Sequence, residues 1–128
     1  MELNPQRAEQ ILRVTGWPQI AVGTLNLQTD NKHVEELLQF VPVWVEDGAS
    51  VIYPPRYARI PLARKQYLYF RAIASAKGRH VDVLVRRAAV PPYPGLAEVF
   101  AAATLRDYFP LVDNDIVTIE LDERGRRA

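Results

Sequence analysis

The sequence predicts a mostly β protein of the α+β class, a small barrel with short helices at its margins. A mixed α+β sandwich is the second choice. Three observations lead to this prediction: many short strand-like runs, turn residues between them, and helical spacing only at the margins. At 128 residues the chain has the length of one domain. We expect that domain to span residues 1–121, with a mobile, arginine-rich tail over residues 122–128.

The composition is that of an ordinary folded protein, with 48% hydrophobic residues and a formal net charge of +1. This charge gives no general attraction to nucleic acid, which would need a local basic patch. The chain has no cysteine, which excludes disulfides and thiolate chemistry. The N-terminal residues lack the features of a signal peptide, and no apolar run approaches about 20 residues. We therefore expect a cytoplasmic protein with no membrane partner.

The N-terminal segment predicts a short amphipathic helix. Asn4 followed by Pro5 is typical of a helix start. Apolar and small residues then recur at helical spacing up to Thr15, and Gly16 is a suitable stop. A strand is expected next, over residues 20–27.

A second short helix is expected after a cap at residues 29–31, with Val34, Leu37 and Leu38 on one face. From Val41 the pattern changes to the alternation of a strand. Because a proline cannot donate a backbone hydrogen bond, we expect position 42 to lie either on an edge strand or among the first residues of its strand.

The second half of the chain predicts a hairpin and a closing strand. Residues 66–74 and 80–85 are strand-like, and Lys77-Gly78-Arg79 forms the turn between them. Residues 91–95 form a proline-rich loop. A short strand at 97–101 and one or two helical turns at 103–109 follow, and then a tight turn at 113–115 leads into a strand at 116–121.

Thr24 and Asn26 are two residues apart in the predicted strand, so their side chains would share one face. A hydroxyl and a carboxamide oxygen are hard, neutral ligands suited to Mg²⁺ when nucleotide phosphates balance most of its charge. The alternative is structural: a threonine on an exposed strand face and an asparagine at a bend.

Four segments together extend this pattern: Gly23-Thr24-Leu25-Asn26-Leu27, then Glu98, then Leu105-Arg106, then residues 111–120. In this order they resemble the landmarks of the archaeal-type CTP-dependent riboflavin kinases, over about residues 5–121. The resemblance implies a six-stranded cradle-loop barrel that transfers the terminal phosphate of CTP to riboflavin, giving FMN.

The resemblance also implies roles for individual residues. Thr24 and Asn26 would ligate Mg²⁺ beside the phosphates, and Glu98 would lie on the flavin side. A segment of four residues would meet the cytidine nucleotide: Ala103, Thr104, Leu105 and Arg106. Structural alternatives stay open for each: an exposed strand glutamate for Glu98, and a surface salt bridge with Asp107 or Asp113 for Arg106.

The turn at residues 113–115 is expected to be structural, with Asn114 in the left-handed conformation that the family's glycine would adopt. The chain departs from the family pattern at two places. Val90 stands where the family has a flavin-contacting threonine, and no glycine precedes Gly16, whereas the family has a glycine-rich phosphate loop there. We therefore expect weak flavin binding and slow or absent turnover.

Two further functions remain open. One is a non-catalytic relative of the same fold that binds a nucleotide, a flavin or a protein. The other is a barrel that binds RNA or single-stranded DNA through interleaved basic and aromatic residues between positions 53 and 67. The residues of that patch are Tyr53, Arg56, Tyr57, Arg59, Arg64, Lys65 and Tyr67. A solvated loop is the preferred interpretation of that stretch.

Overall fold

The computed structural model describes residues 5–21, 25–29, 36–37, 39–46, 66–89 and 96–125. Within these ranges six strands form one sheet: β1 (Leu25–Gln28), β2 (Trp44–Glu46), β3 (Tyr67–Ala76), β4 (Arg79–Ala88), β5 (Leu96–Phe100) and β6 (Thr118–Leu121). Helix α1 (Pro5–Thr15), the single-turn helix α2 (Leu105–Tyr108) and a 3-10 turn (Glu123–Gly125) lie in the same ranges. The mostly β, α+β class predicted from the sequence is confirmed.

All strand pairs are antiparallel, and the sheet order is β1-β5-β4-β3-β2. β6 also pairs with β3, on the half of that strand that β2 leaves open. Thus β4 covers one edge of β3, while β2 and β6 share the other. Among the described residues no ladder joins β6 to β1, so the sheet is not closed. Closure into a barrel stays a prediction.

The hairpin of β3 and β4 is the longest ladder in the described sheet and follows the sequence prediction. Its turn residues Lys77 and Gly78 both have positive φ, 51° and 74°. Two such residues match the turn whose twist suits a two-residue hairpin. The register runs from Ala76 opposite Arg79 to Tyr67 opposite Ala88. The predicted hairpin is confirmed.

One face of the sheet, which we call the inner face, carries the larger apolar core. Residues that alternate along β3 and β4 point to this side, including Phe70, Ala72, Val83 and Val85, all nearly inaccessible to solvent. Val99 of β5 joins the same cluster. Burial of this apolar surface is the main force that holds the strands together.

The opposite, outer face is covered by α1. Ile11 of this helix is fully buried against Tyr69, Leu84 and Phe100. The helix ends at Gly16, which has a φ of 73° and whose N–H donates to the Leu12 carbonyl at 2.9 Å. This is the C-terminal stop that the sequence predicts. The helix therefore shields the part of the outer face formed by Tyr69, Leu84 and Phe100.

Three predicted strands are shorter in the structure than in the sequence pattern. The strand expected at 20–27 is β1, and residues 22–24 lie outside the described ranges. The strand expected from Val41 is β2, and the strand expected at 116–121 is β6. The predicted helix around Val34 falls largely outside the described residues, although Glu36 and Leu37 are helical.

Candidate functional site

A row of polar side chains crosses three neighbouring strands on the outer face. Asn26 of β1 lies opposite Glu98 of β5 in the strand register, and Glu98 lies opposite Arg86 of β4. Directly opposed residues of antiparallel strands project on the same side of a sheet. The flanking residues Leu25 and Leu27 point to the inner face and join its core. The row therefore unites two predicted site residues, Asn26 and Glu98, that are 72 positions apart in the sequence.

The Glu98 carboxylate is held by an arginine. Arg86 Nη2 donates to Glu98 Oε2 at 3.1 Å, and the two side chains are only 14% and 16% exposed. The Arg86 guanidinium also lies over the ring of Tyr67, 4.1 Å from its centroid. A guanidinium that is stacked and paired in this way has little freedom. Glu98 is thus a fixed carboxylate rather than a freely rotating surface group.

A second carboxylate, Glu46 of β2, lies between Arg7 of α1 and Arg86 of β4. Its side chain is fully buried and receives hydrogen bonds from Arg7 Nε at 2.8 Å and Arg7 Nη2 at 3.1 Å. Tyr69 Oη donates to the same carboxylate at 3.3 Å, and Arg86 Nη1 lies 3.8 Å from it. The positive charges of Arg7 and Arg86 therefore balance the negative charges of Glu46 and Glu98.

Burial also changes the pKa of the Tyr69 phenol, which belongs to this network. Desolvation raises the pKa of Tyr69 above its ordinary value of 10.0, and the nearby Arg86 only partly opposes that effect. The phenol therefore stays protonated and serves Glu46 as a hydrogen-bond donor. Trp44 stacks on its ring with centroids 4.4 Å apart, which fixes the ring position.

The segment predicted to meet the nucleotide divides between core and surface. Leu105 is buried in the inner core, whereas Ala103, Thr104 and Arg106 are exposed. Thr104 is the cap residue of α2, but its side chain makes no capping hydrogen bond. Arg106 Nη2 lies 3.5 Å from Asp113 Oδ1, the surface ion pair considered as its alternative role.

A groove links this segment to β1. Asn26 and Arg106 both line it, together with the rest of β1 and residues 111–117, and its volume is about 310 Å³. Ala103 and Thr104 instead line a separate surface depression beside Gln19. The structure thus places Asn26 opposite Glu98 through strand pairing and in one groove with Arg106, but it does not unite all six of the seven predicted site residues that it describes.

The turn at residues 113–115 forms the far wall of the groove and has the predicted conformation. Asn114 has a φ of 73°, the left-handed value expected of a residue in the place of glycine. Asp115 closes the turn by accepting a hydrogen bond from the Val112 N–H at 2.9 Å. That bond, reinforced by Lys77, holds the pKa of Asp115 below its ordinary value of 3.8. The predicted left-handed conformation of Asn114 is confirmed.

Several predicted residues lie outside the described ranges: Thr24, Val90 and most of the basic aromatic stretch. Tyr67 is the member of that stretch that the structure describes, and its ring is already stacked under Arg86. Among the described residues no cluster of three or more His, Cys, Asp or Glu side chains could hold a metal ion.

Sequence reasoning missed Glu46 and Arg86, which hold Glu98 in place. One signal was available for Arg86, because its alternation with Val83 and Val85 places it on the outer face. No comparable local signal marks Glu46. Its burial depends on Arg7, which comes from a helix 39 positions earlier.

Comparison of the chain with protein-family models, with curated proteins and with solved structures gave no match. The helices in the described part of the chain are all too short or too polar to cross a bilayer.

Proposed function

We propose that this protein transfers the terminal phosphate of CTP to riboflavin, giving FMN, at the outer-face site that contains Asn26 and Glu98. The observation that supports the proposal most is the register of β1 and β5, which sets these two residues directly opposite each other. They were selected from separate motifs in the sequence, one for the metal and one for the acceptor. Their meeting on one face is what a phosphoryl-transfer site requires.

Glu98 would act on the acceptor side of the reaction. Its carboxylate would accept the hydrogen bond of the attacking ribityl hydroxyl and take its proton as the new oxygen–phosphorus bond forms. The bond between the terminal phosphate and CDP breaks in the same transfer, so CDP and FMN leave. The contact from Arg86 at 3.1 Å keeps the carboxylate oriented for this role.

Arg106 would lie on the nucleotide side. It is exposed at the groove shared with Asn26, and its partner Asp113 is itself 90% exposed. Such a surface ion pair is weak, so a phosphate could replace the carboxylate at little cost. Ala103, Thr104 and Leu105 would contribute backbone groups rather than side-chain contacts.

The donor set on this face is suited to Mg²⁺. The Asn26 carboxamide is exposed, and the carboxylate of Glu98 is its cross-strand neighbour. Mg²⁺ prefers such oxygen ligands and is commonly bound through one or two protein groups plus substrate phosphates. Asn26 and Thr24 would hold the ion, which when bound would neutralise charge on the transferring group.

A second candidate function is non-catalytic binding of the same nucleotide or flavin. The observation that favours it is the pairing of Glu98 with Arg86, because a carboxylate already engaged by a guanidinium is a poorer proton acceptor. In that case the groove and the outer face would bind ligand without turnover.

The test incubates the protein with riboflavin, CTP and Mg²⁺ and measures the FMN formed by chromatography. We expect slow FMN production by the wild-type protein and a loss of about 10²-fold or more in Glu98→Gln. Glu120→Gln, which changes an exposed glutamate of β6, is the matched control and should retain the wild-type rate. CTP binding without FMN would favour the second candidate. Neither binding nor turnover would overturn both.

A further inference from the structure

The inner face of the sheet lines a partly open cavity on the side opposite Glu98. Its volume is about 320 Å³, and its walls come from β1, β4, β5 and β6 and from residues 29, 36, 37 and 117. Most of the lining is apolar, including Leu27, Val85, Ala97 and Ile119. Cavities of this size and lining are typical of sites for small molecules.

Two residues of the wall are charged, Glu36 and Arg87, and Glu36 is exposed to solvent whereas Arg87 is buried. Arg87 lines the cavity, yet only 2% of its surface is exposed to solvent. It continues the inward series of Val83 and Val85 along β4, and its partner in the register is the apolar Leu68 of β3. A guanidinium does not lose its proton in proteins, so the buried part of the wall carries a permanent positive charge, and the Glu36 carboxylate lies on the exposed part.

The side chains of the two adjacent arginines of β4 project to opposite faces of the sheet. Arg86 points outward to Glu98, and Arg87 points inward to the cavity. Because successive strand residues alternate, a ligand of the inner cavity would be separated from Asn26 and Glu98 by the sheet itself. The cavity shares Leu27, Gln28 and Val117 with the groove beside β1, but its Arg87 side lies across the sheet from Glu98.

We infer that this cavity binds a small carboxylate with an apolar body, whose carboxylate group lies against Arg87. The apolar wall removes the hydrocarbon part from water, and the guanidinium supplies complementary charge. A guanidinium has five N–H donors in a planar fork, so it can serve a ligand oxygen as well as protein acceptors. The volume equals that of roughly ten water molecules, which suits a chain of medium length such as octanoate.

The experiment compares octanoate with octan-1-ol by calorimetric titration of the full chain. The two ligands share their apolar body and differ in charge. Octanoate should bind about tenfold more tightly than octanol, since a charge-assisted contact is roughly twice as strong as a neutral one. Arg87→Met should abolish this preference. The control Arg71→Met removes an exposed arginine from the adjacent strand β3 and should leave it intact.

Thermal melting establishes that each variant is folded. If Arg87→Met does not fold, Ala97→Leu provides the second test, because a larger side chain in the cavity wall should abolish octanoate binding while Arg87 remains. Equal affinity for octanoate and octanol would overturn the inference. So would octanoate binding that survives both Arg87→Met and Ala97→Leu, or no saturable octanoate binding by the wild-type protein.

Discussion

Replacing Glu46 with glutamine tests whether this buried carboxylate organises the outer face. Glu46 is fully buried, accepts two hydrogen bonds from Arg7 at 2.8 and 3.1 Å, and lies 3.8 Å from Arg86. Glutamine keeps the shape but replaces one oxygen with an NH₂ group. That group would face guanidinium donors, so Arg7 would lose this charge partner and Arg86 would keep only its ion pair with Glu98.

The expected cost follows from the burial of the partners. Removing one member of a buried ion pair destabilises a protein by about 3–5 kcal/mol. The side chains of Arg7 and Arg86 each remain 14% exposed, so water can partly solvate them. We therefore expect the lower end, about 3 kcal/mol. For a chain of this length that corresponds to a fall of about 10 °C in Tm.

Thermal and urea unfolding followed by circular dichroism measure this effect. Glu9→Gln is the matched control, because Glu9 forms an exposed ion pair with Arg13 one helical turn away. Such a pair is worth about 0.5 kcal/mol or less. The reasoning is refuted if Glu46→Gln and Glu9→Gln melt together with the wild-type protein.

Three further predictions concern pH and the hairpin. Burial raises the pKa of Tyr69, so the contribution of its phenol to the free energy of unfolding should persist below about pH 10 and be lost as pH rises further. At high pH the free energy of unfolding should therefore depend less on pH in Tyr69→Phe than in the wild-type protein. The Val112 N–H lowers the pKa of Asp115, so urea unfolding should show an advantage of the wild-type protein over Asp115→Asn that disappears as pH falls through 3.8. Gly78 has a φ of 74° with no atom near its missing Cβ, so Gly78→Ala should cost about 1 kcal/mol and Gly78→Asn less, as measured by urea unfolding.

The parts of the fold that local chemistry determines could be predicted from the sequence. The hairpin of β3 and β4 is an example, because turn residues and alternating side chains specify its strands. Its register was not predicted, since Arg79 was expected in the turn but pairs with Ala76 as the first residue of β4. The stop of α1 at Gly16 and the left-handed Asn114 are also local, and the structure has both. Each depends on the conformational preference of one residue.

The non-local parts could not be predicted. The valines of the alternating run at 41–45 are exposed, whereas Trp44 and Glu46 are turned toward the protein. That orientation follows from partners on α1 and β3, which no pattern within the run reveals. The opposition of Asn26 and Glu98 likewise depends on a register between distant strands. The resemblance selected both residues but gave no reason for the contact of Glu98 with Arg86.

The most direct test of the central proposal is an amide chemical-shift titration of the full chain with CTP and Mg²⁺. The account predicts shifts that cluster at the outer face and its groove, at Asn26, Glu98 and Arg106, and that require Mg²⁺. Val83 and Val85 of the inner face should not move. Shifts confined to the inner face or to α1, or no shifts at saturating nucleotide, would contradict the account.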